Sequence, residues 1–159
     1  MNIVFAQRKD TAEILNFIRE LAEYEHMSDQ VVADEEILEH WIFDEKKAEV
    51  IFVEEEGTRV GFALFFHNFS TFLGRAGIYL EDLYVKPEFR GKGCGKALLS
   101  FLAKTAVERG CGRLEWCCLN WNQPSIDFYK SMGAVVMDEW RTFRVTGETL
   151  KDLAGKSDM

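Results

Sequence analysis

Proline and histidine are scarce in this chain of 159 residues, with two and three copies. Long apolar runs are missing, and so is any excess of positive charge. Each shortage removes a class of function. No apolar stretch approaches the roughly 20 residues of a membrane span. Met1 to Arg8 reads as a short strand, without the charged and apolar regions of a secretion signal, so a cytoplasmic protein is expected. The net charge of -8 disfavours nucleic acid and anionic membranes, whose phosphates it would repel, and favours a cationic small molecule. Taken alone it is weak support, because acidic proteins also use such charge simply to stay soluble. His26, His40 and His67 lie far apart without ligand spacing. Cys94, Cys111, Cys117 and Cys118 show no Cys-x-x-Cys pattern, and the adjacent pair is poorly placed for zinc or an ordinary disulfide. Reduced thiols and no metal are expected. With no repeat, low-complexity tract or linker, and with 47% hydrophobic residues including thirteen Phe and four Trp, residues 1–159 read as one domain with a substantial core. Trp41, Trp116 and Trp121 are assigned to that core.

Asn2 to Gln7 alternates as a first strand. Asp10 with Glu13 resembles a capping box for a helix from Thr11 to about Glu25, with Ile14, Phe17, Ile18, Leu21 and Ala22 as its buried stripe. Asp34 caps a second helix through Ile37, Leu38, Trp41 and Ile42. Ala48 to Glu55 and Val60 to Phe69 flank a Glu56-Gly57-Thr58 turn and read as a hairpin, followed by a loop over Asn68 to Gly77. Farther on come a strand at Leu114 to Leu119 and a short helix from Asn122 to Met132, with Pro124 in its first turn and Gly133 at its end. A final hairpin, Val135 to Met137 with Trp140 to Val145, precedes a C-terminal helix around Glu148 to Leu153 and a frayed tail. The order predicts an α+β fold with one mixed, mostly antiparallel central sheet flanked by helices.

The most informative stretch is Ile78 to Lys104. Ile78 to Val85 is a strand that carries Glu81 and Asp82 in its middle and ends at Lys86-Pro87. Two acids in a buried strand are costly. Strict alternation sends such neighbours to opposite faces unless a bulge intervenes, and one of the two is expected to pair with a Lys or Arg in the sheet. Arg90-Gly91-Lys92-Gly93-Cys94-Gly95 then opens a helix through Ala97, Leu98, Phe101, Leu102 and Ala106. A glycine turn feeding a helix N-terminus suits an anion, because unpaired N–H groups and the positive dipole end converge there. A P-loop is excluded: Gly95-Lys96 is followed by Ala97, and Arg90 stands where the first glycine belongs. A dinucleotide fingerprint from Gly91 places Lys96 at its third glycine.

The turn does resemble the Arg/Gln-x-x-Gly-x-Gly/Ala signature of the GNAT superfamily of acetyl-CoA-dependent N-acetyltransferases, matched by Arg90, Gly93 and Gly95. Leu80-Glu81-Asp82 and Tyr84-Val85 before it, and Trp121-Asn122-Gln123-Pro124-Ser125-Ile126-Asp127-Phe128-Tyr129-Lys130 after it, narrow the likeness. The subgroup resembled is that of the spermidine/spermine (diamine) and thialysine N-epsilon-acetyltransferases, and the likeness runs from Glu20-Leu21-Ala22 to Trp140. It implies direct transfer of an acetyl group from acetyl-CoA to the primary amine of a small cationic acceptor, in a homodimer. By the resemblance, Glu81 is the general base, with burial raising its pKa, and Tyr129 protonates the leaving sulfur. The cofactor lies along the backbone of Leu83, Tyr84 and Val85 and of Arg90, Gly91, Lys92, Gly93, Cys94, Gly95 and Lys96, where the Arg90 side chain adds charge. Asn122 and Ser125 meet the pantetheine arm, although both also read as a plain helix cap and first turn. Tyr24, Glu25, Glu81, Asp82 and Trp140 line the amine pocket. Ser70 and Phe72, standing where polyamine enzymes tend to carry an acid and a Trp, and a short Asp138-Glu139-Trp140 turn argue against long polyamines. Alternatives that share the cofactor grip are a protein lysine or N-terminal acetyltransferase and a non-catalytic acetyl-CoA-binding module.

Overall fold

The computed structural model describes residues 1–157, and the chain resolves into two compact units, Met1–Cys117 and the part from Cys118 onward. In the first unit, β1 (Asn2–Phe5), β2 (Glu49–Glu55), β3 (Thr58–Ser70), β4 (Arg75–Val85) and β5 (Leu114–Trp116) form one sheet in the order β1-β2-β3-β4-β5. Neighbours are antiparallel except β4 and β5, which run parallel because α3 (Cys94–Glu108) carries the chain back between them. This is the expected mostly antiparallel sheet.

The stripe of α1 (Thr11–Tyr24) buries Ile14, Phe17 and Leu21 against Phe52, Phe62 and Tyr84. Phe17 stacks on Phe62 with ring centroids 5.3 Å apart. By alternation, Ile51, Val53 and Ala63 point to the other face, where they too are fully buried. That is the side of α3, since Phe5, the register partner of Ile51, meets Phe101 edge-on.

Several elements depart from the sequence reading for local reasons. Asp10 stands at the α1 N-cap, yet its carboxylate accepts from the Gln7 N–H at 2.7 Å and pairs with Arg59 instead of capping. Asp34 does cap α2 (Glu35–Glu39), accepting from the Ile37 N–H at 2.8 Å. The helix continues as a π-turn over His40–Asp44, whose wider coil leaves Trp41 52% exposed beside a buried Ile42. Trp121 is also half exposed and Trp116 only half-buried, so none of these three is core. The Glu56-Gly57 turn joins β2 to β3 with both residues at positive φ, as a two-residue hairpin requires. The loop expected over residues 68–77 shrinks to 71–74. There the Ser70 Oγ accepts from the Leu73 N–H, Gly74 takes φ 68°, and the flanks pair as Asn68 with Gly77 and Phe69 with Ala76. β5 stops at Trp116, three residues short of the expected strand.

The second unit holds α4 (Gln123–Ser131) and α5 (Gly147–Ala154). The hairpin expected at Val135 to Met137 and Trp140 to Val145 is not formed: among the described residues these segments have no strand partner, and Phe143 is 91% exposed. β-branched and aromatic residues favour a strand only where a neighbouring strand supplies the ladder. The expected tail lies partly outside the described residues. Among those described, no helix is long and apolar enough to cross a membrane.

Arg59 ties the first unit together. Its Nη1 lies 2.8 Å from Asp10 and 2.6 Å from Glu13, and its guanidinium covers the Phe52 ring at 4.4 Å. Burial opposes ionisation of Asp10, but the Gln7 N–H and Arg59 outweigh it and hold the carboxyl below its ordinary value. The Asp10 contribution is therefore complete above the unfolded value of 3.8 and is lost as pH falls through the lower folded one. Arg59→Leu is expected to destabilise the protein by about 2–3 kcal/mol at pH 7, by stranding the carboxylates of Asp10, Glu13 and Glu54, and by less near pH 3; urea denaturation at both pH values checks this.

Candidate active site

The site begins with one extra residue in β4. Leu80 pairs with Phe65 while Asp82 pairs with Leu64, so Glu81 has no opposite number on β3. This is a β-bulge, and it changes which way side chains point. Tyr79 pairs with Phe66, and Phe66 and Leu64, two apart on β3, share a face. Tyr79 and Asp82 therefore share that face although they are three apart. Glu81, two on from Tyr79, lies there too. Phe62, Leu64 and Tyr84 identify it as the face covered by α1. Both acids reach one surface.

Glu25, the C-cap of α1, completes a group of three carboxylates. Asp82 is half-buried and Glu81 exposed. Desolvation, followed by the charges of Glu81 and then Glu25, pushes the Asp82 carboxyl up to about 7. Burial alone raises the Glu25 carboxyl. The expected ion pair in the sheet is not formed: among the described residues, neither Glu81 nor Asp82 meets a Lys or Arg. The cations nearby are occupied. Lys86 holds Glu20 at 3.1 Å. Arg90 donates from Nε to the Val85 carbonyl at 2.9 Å and lies over the rings of Tyr24 at 4.7 Å and Tyr84 at 5.5 Å. The burial expected to tune Glu81 falls instead on Asp82.

Beyond the bulge, β4 has one free edge. The Lys86 N–H reaches the Val60 carbonyl, so residues 86, 84 and 82 turn their backbone groups to β3 and Leu83 and Val85 turn theirs the other way. On that side β5 pairs with Ile78, Tyr79 and Leu80. The N–H groups of Leu83 and Val85 thus face the gap where the two strands part. Tyr84 is spent on β3 and the core.

A short turn, Pro87–Phe89, leads from β4 to the glycines. Gly91 at φ 77° and Gly93 at φ 89°, the N-cap of α3, hold left-handed conformations that bring the chain round into the helix. A β-carbon added at Gly91 would meet nothing within 4 Å, and one at Gly93 only the Met1 methyl at 3.9 Å, so the hollow before the helix is open. The first N–H groups of α3, from Cys94, Gly95 and Lys96, have no acceptor within the helix. These N–H groups suit an anion, and the Arg90 side chain is engaged elsewhere. Lys92 sits over Phe89 at 5.2 Å. Cys94 is buried, and burial followed by Glu55 pushes its thiol up, which suits packing rather than reaction.

In the second unit, Asn122 is buried and its Oδ1 accepts from the Ser125 N–H at 3.4 Å, a helix cap as read from the sequence. Tyr129 is half-buried on α4 beside Phe128, with ring centroids 5.5 Å apart. Trp140 is exposed in the irregular stretch.

Sequence reasoning does not single out Tyr79. Its hydroxyl donates to the Cys117 sulfur at 3.1 Å on the face that holds Glu81, and burial, then the Cys117 contact, pushes its phenol up. Its place two residues before Glu81 is the available signal.

A model of the acetyltransferase (GNAT) family matches residues 12–134. The chain is 42% identical to the thialysine N-epsilon-acetyltransferase of Bos taurus over 163 residues, 95% of each chain. It is 48% identical over 91 residues to the L-ornithine N5-acetyltransferase NATA1 of Arabidopsis thaliana, covering 57% of this chain and 40% of that one. Among solved structures, an integron cassette protein from the mobile metagenome of V. cholerae shares 30% identity and a TM-score of 0.82 over 98% of both chains.

Proposed function

We propose, from the premise that this chain belongs to the GNAT acetyltransferase family and is an N-acetyltransferase, that it moves an acetyl group from acetyl-CoA to a primary amine of a small cationic acceptor. The acceptor class is a diamine, a polyamine or a lysine analogue such as thialysine. The observation that carries this reading is the group of three carboxylates, Glu25, Glu81 and Asp82, with no paired cation among the described residues. Such a group attracts an alkylammonium and can also remove its proton.

Acetyl-CoA, bound at the glycine turn, supplies the activated acetyl thioester. The backbone of Arg90 to Lys96 holds its pyrophosphate, and the Leu83 and Val85 N–H groups are donors for the acetyl carbonyl oxygen. Asn122 and Ser125 serve the pantetheine arm, and Tyr24, Glu25 and Trp140 position the amine. A carboxylate of the Glu81–Asp82 pair takes one proton from the ammonium, the role the resemblance gives to Glu81. Tyr129 delivers a proton to the sulfur. A homodimer in the cytoplasm belongs to the same reading, and sedimentation of the purified protein measures the first part.

The test offers the protein acetyl-CoA with putrescine, spermidine, spermine, thialysine, lysine, ornithine and a short lysine peptide, and detects acetylated products by mass. Acetylation of a small amine, lost about 100-fold or more in the Glu81→Gln/Asp82→Asn double variant, is the expected result. Acetylation of the peptide alone would replace this reading with a protein-modifying one. Binding of acetyl-CoA without turnover on any acceptor would count against catalysis.

A further inference from the structure

We infer that Asp82, rather than Glu81, is the catalytic base that receives the acceptor's proton, and that Glu81 draws the ammonium to it. The inference rests on the amine acetyltransfer proposed above and names the residue that performs its first step.

The bulge makes this possible. Without the extra residue, Glu81 and Asp82 would lie on opposite faces; with it, both stand on the α1 face in unequal surroundings. Glu81 is exposed, so solvent screens it and an approaching cation meets it first. Asp82 lies deeper, beside Leu64 on β3 and facing the end of α1. The charges acting on it are Glu81 from its own strand and Glu25 from α1, both negative. The cations of the neighbouring segments are committed, Arg90 to the Val85 carbonyl and the rings of Tyr24 and Tyr84, Lys86 to Glu20. The Asp82 carboxylate has no hydrogen bond or ion pair among the described residues.

A base useful at neutral pH must be a carboxylate that gains by taking a proton. Like charges close together raise the affinity of one member, and burial chooses which. Here burial chooses Asp82, whose carboxyl it pushes up to about 7 with the help of Glu81 and Glu25. In the step itself, one proton passes from R–NH3+ to the Asp82 carboxylate, giving R–NH2 and a carboxylic acid. The nitrogen lone pair then forms the amide C–N bond as the thioester C–S bond breaks with its electrons on sulfur. Tyr129 gives its proton to that sulfur and is restored by the second amine proton, so charge and atoms balance.

Two measurements test the assignment. In protein labelled with 13C at the Asp and Glu carboxyl carbons and free of substrates, one resonance is expected to titrate near 7. It should vanish in Asp82→Asn and move to lower pH in Glu81→Gln and Glu25→Gln, each of which removes a like charge. In pH profiles of kcat/KM for an acetylated amine, Asp82→Asn should lose the acid limb and about 100-fold in kcat, whereas Glu81→Gln should keep the limb, moved to lower pH, and chiefly raise KM. A limb that survives in Asp82→Asn and disappears in Glu81→Gln overturns the assignment, as does the absence of any carboxyl titrating above pH 6. Should the Asp82 titration be found while no amine is acetylated, the reading of the function fails and takes the base role with it.

Discussion

Tyr129→Phe is expected to lower turnover by about 100-fold while the KM for the amine changes little. The substitution removes one oxygen and leaves the ring, so the contact with Phe128 and the packing of α4 are retained. By the proposed function, the hydroxyl removed is the proton source for the sulfur. A phenol and a thiol have similar affinities for a proton, and water is a far weaker acid, so the departing thiolate is left without a matched donor. A 100-fold loss corresponds to about 2.7 kcal/mol of the barrier. Turnover and KM with the preferred amine, together with melting of α4 followed by circular dichroism, separate this from unfolding. Equal loss in Tyr129→Phe and in a variant with melted α4 would remove Tyr129 from the chemistry.

Asp82→Asn is expected to make the protein more stable even as it lowers turnover about 100-fold. Burial and the charges of Glu81 and Glu25 push the folded carboxyl up to about 7 from an ordinary 3.8. For an acid with a raised folded value the sign is unfavourable: ionising Asp82 costs stability as pH rises from about 4 to about 7, and the penalty is constant above that. Three units correspond to an upper limit of about 4 kcal/mol. Relaxation and water at a half-buried group reduce the expected gain to about 2 kcal/mol, or roughly 5 °C in Tm, at pH 8. At pH 4 the wild type carries the proton and the two proteins should melt together. Thermal denaturation at both pH values checks the difference; a variant less stable than wild type at pH 8 would contradict it. Sites that do chemistry often hold groups the fold would rather be without.

The strand, glycine turn and helix from Ile78 to Lys104 are legible in the sequence because each rests on short-range rules: proline ends a strand, glycine permits positive φ, apolar residues recur at helical spacing. The α1 stripe is legible for the same reason. Three features are not. The wide turn at His40–Asp44 leaves no compositional mark, so Trp41 reads as core. Val135 to Val145 has the composition of strands, but a strand exists only through its partner, which no local pattern supplies. The bulge at Glu81 depends on the register between β3 and β4, a non-local quantity. Two adjacent acids in an apolar strand raise the question, and only the pairing answers it.

The bulge also has a genetic meaning. Glu81 is the residue by which β4 exceeds its partner, so its loss would be a one-codon deletion that keeps Leu80, Asp82 and every other side chain in order. Such a chain would carry an unbroken ladder, with Asp82 still opposite Leu64 on the α1 face and its neighbouring acid gone. Lineages in which β4 lacks it would keep the base and lose the acid that draws the ammonium to it, and an alignment that closes the gap at this point would set the base of one protein against the recruiting acid of another.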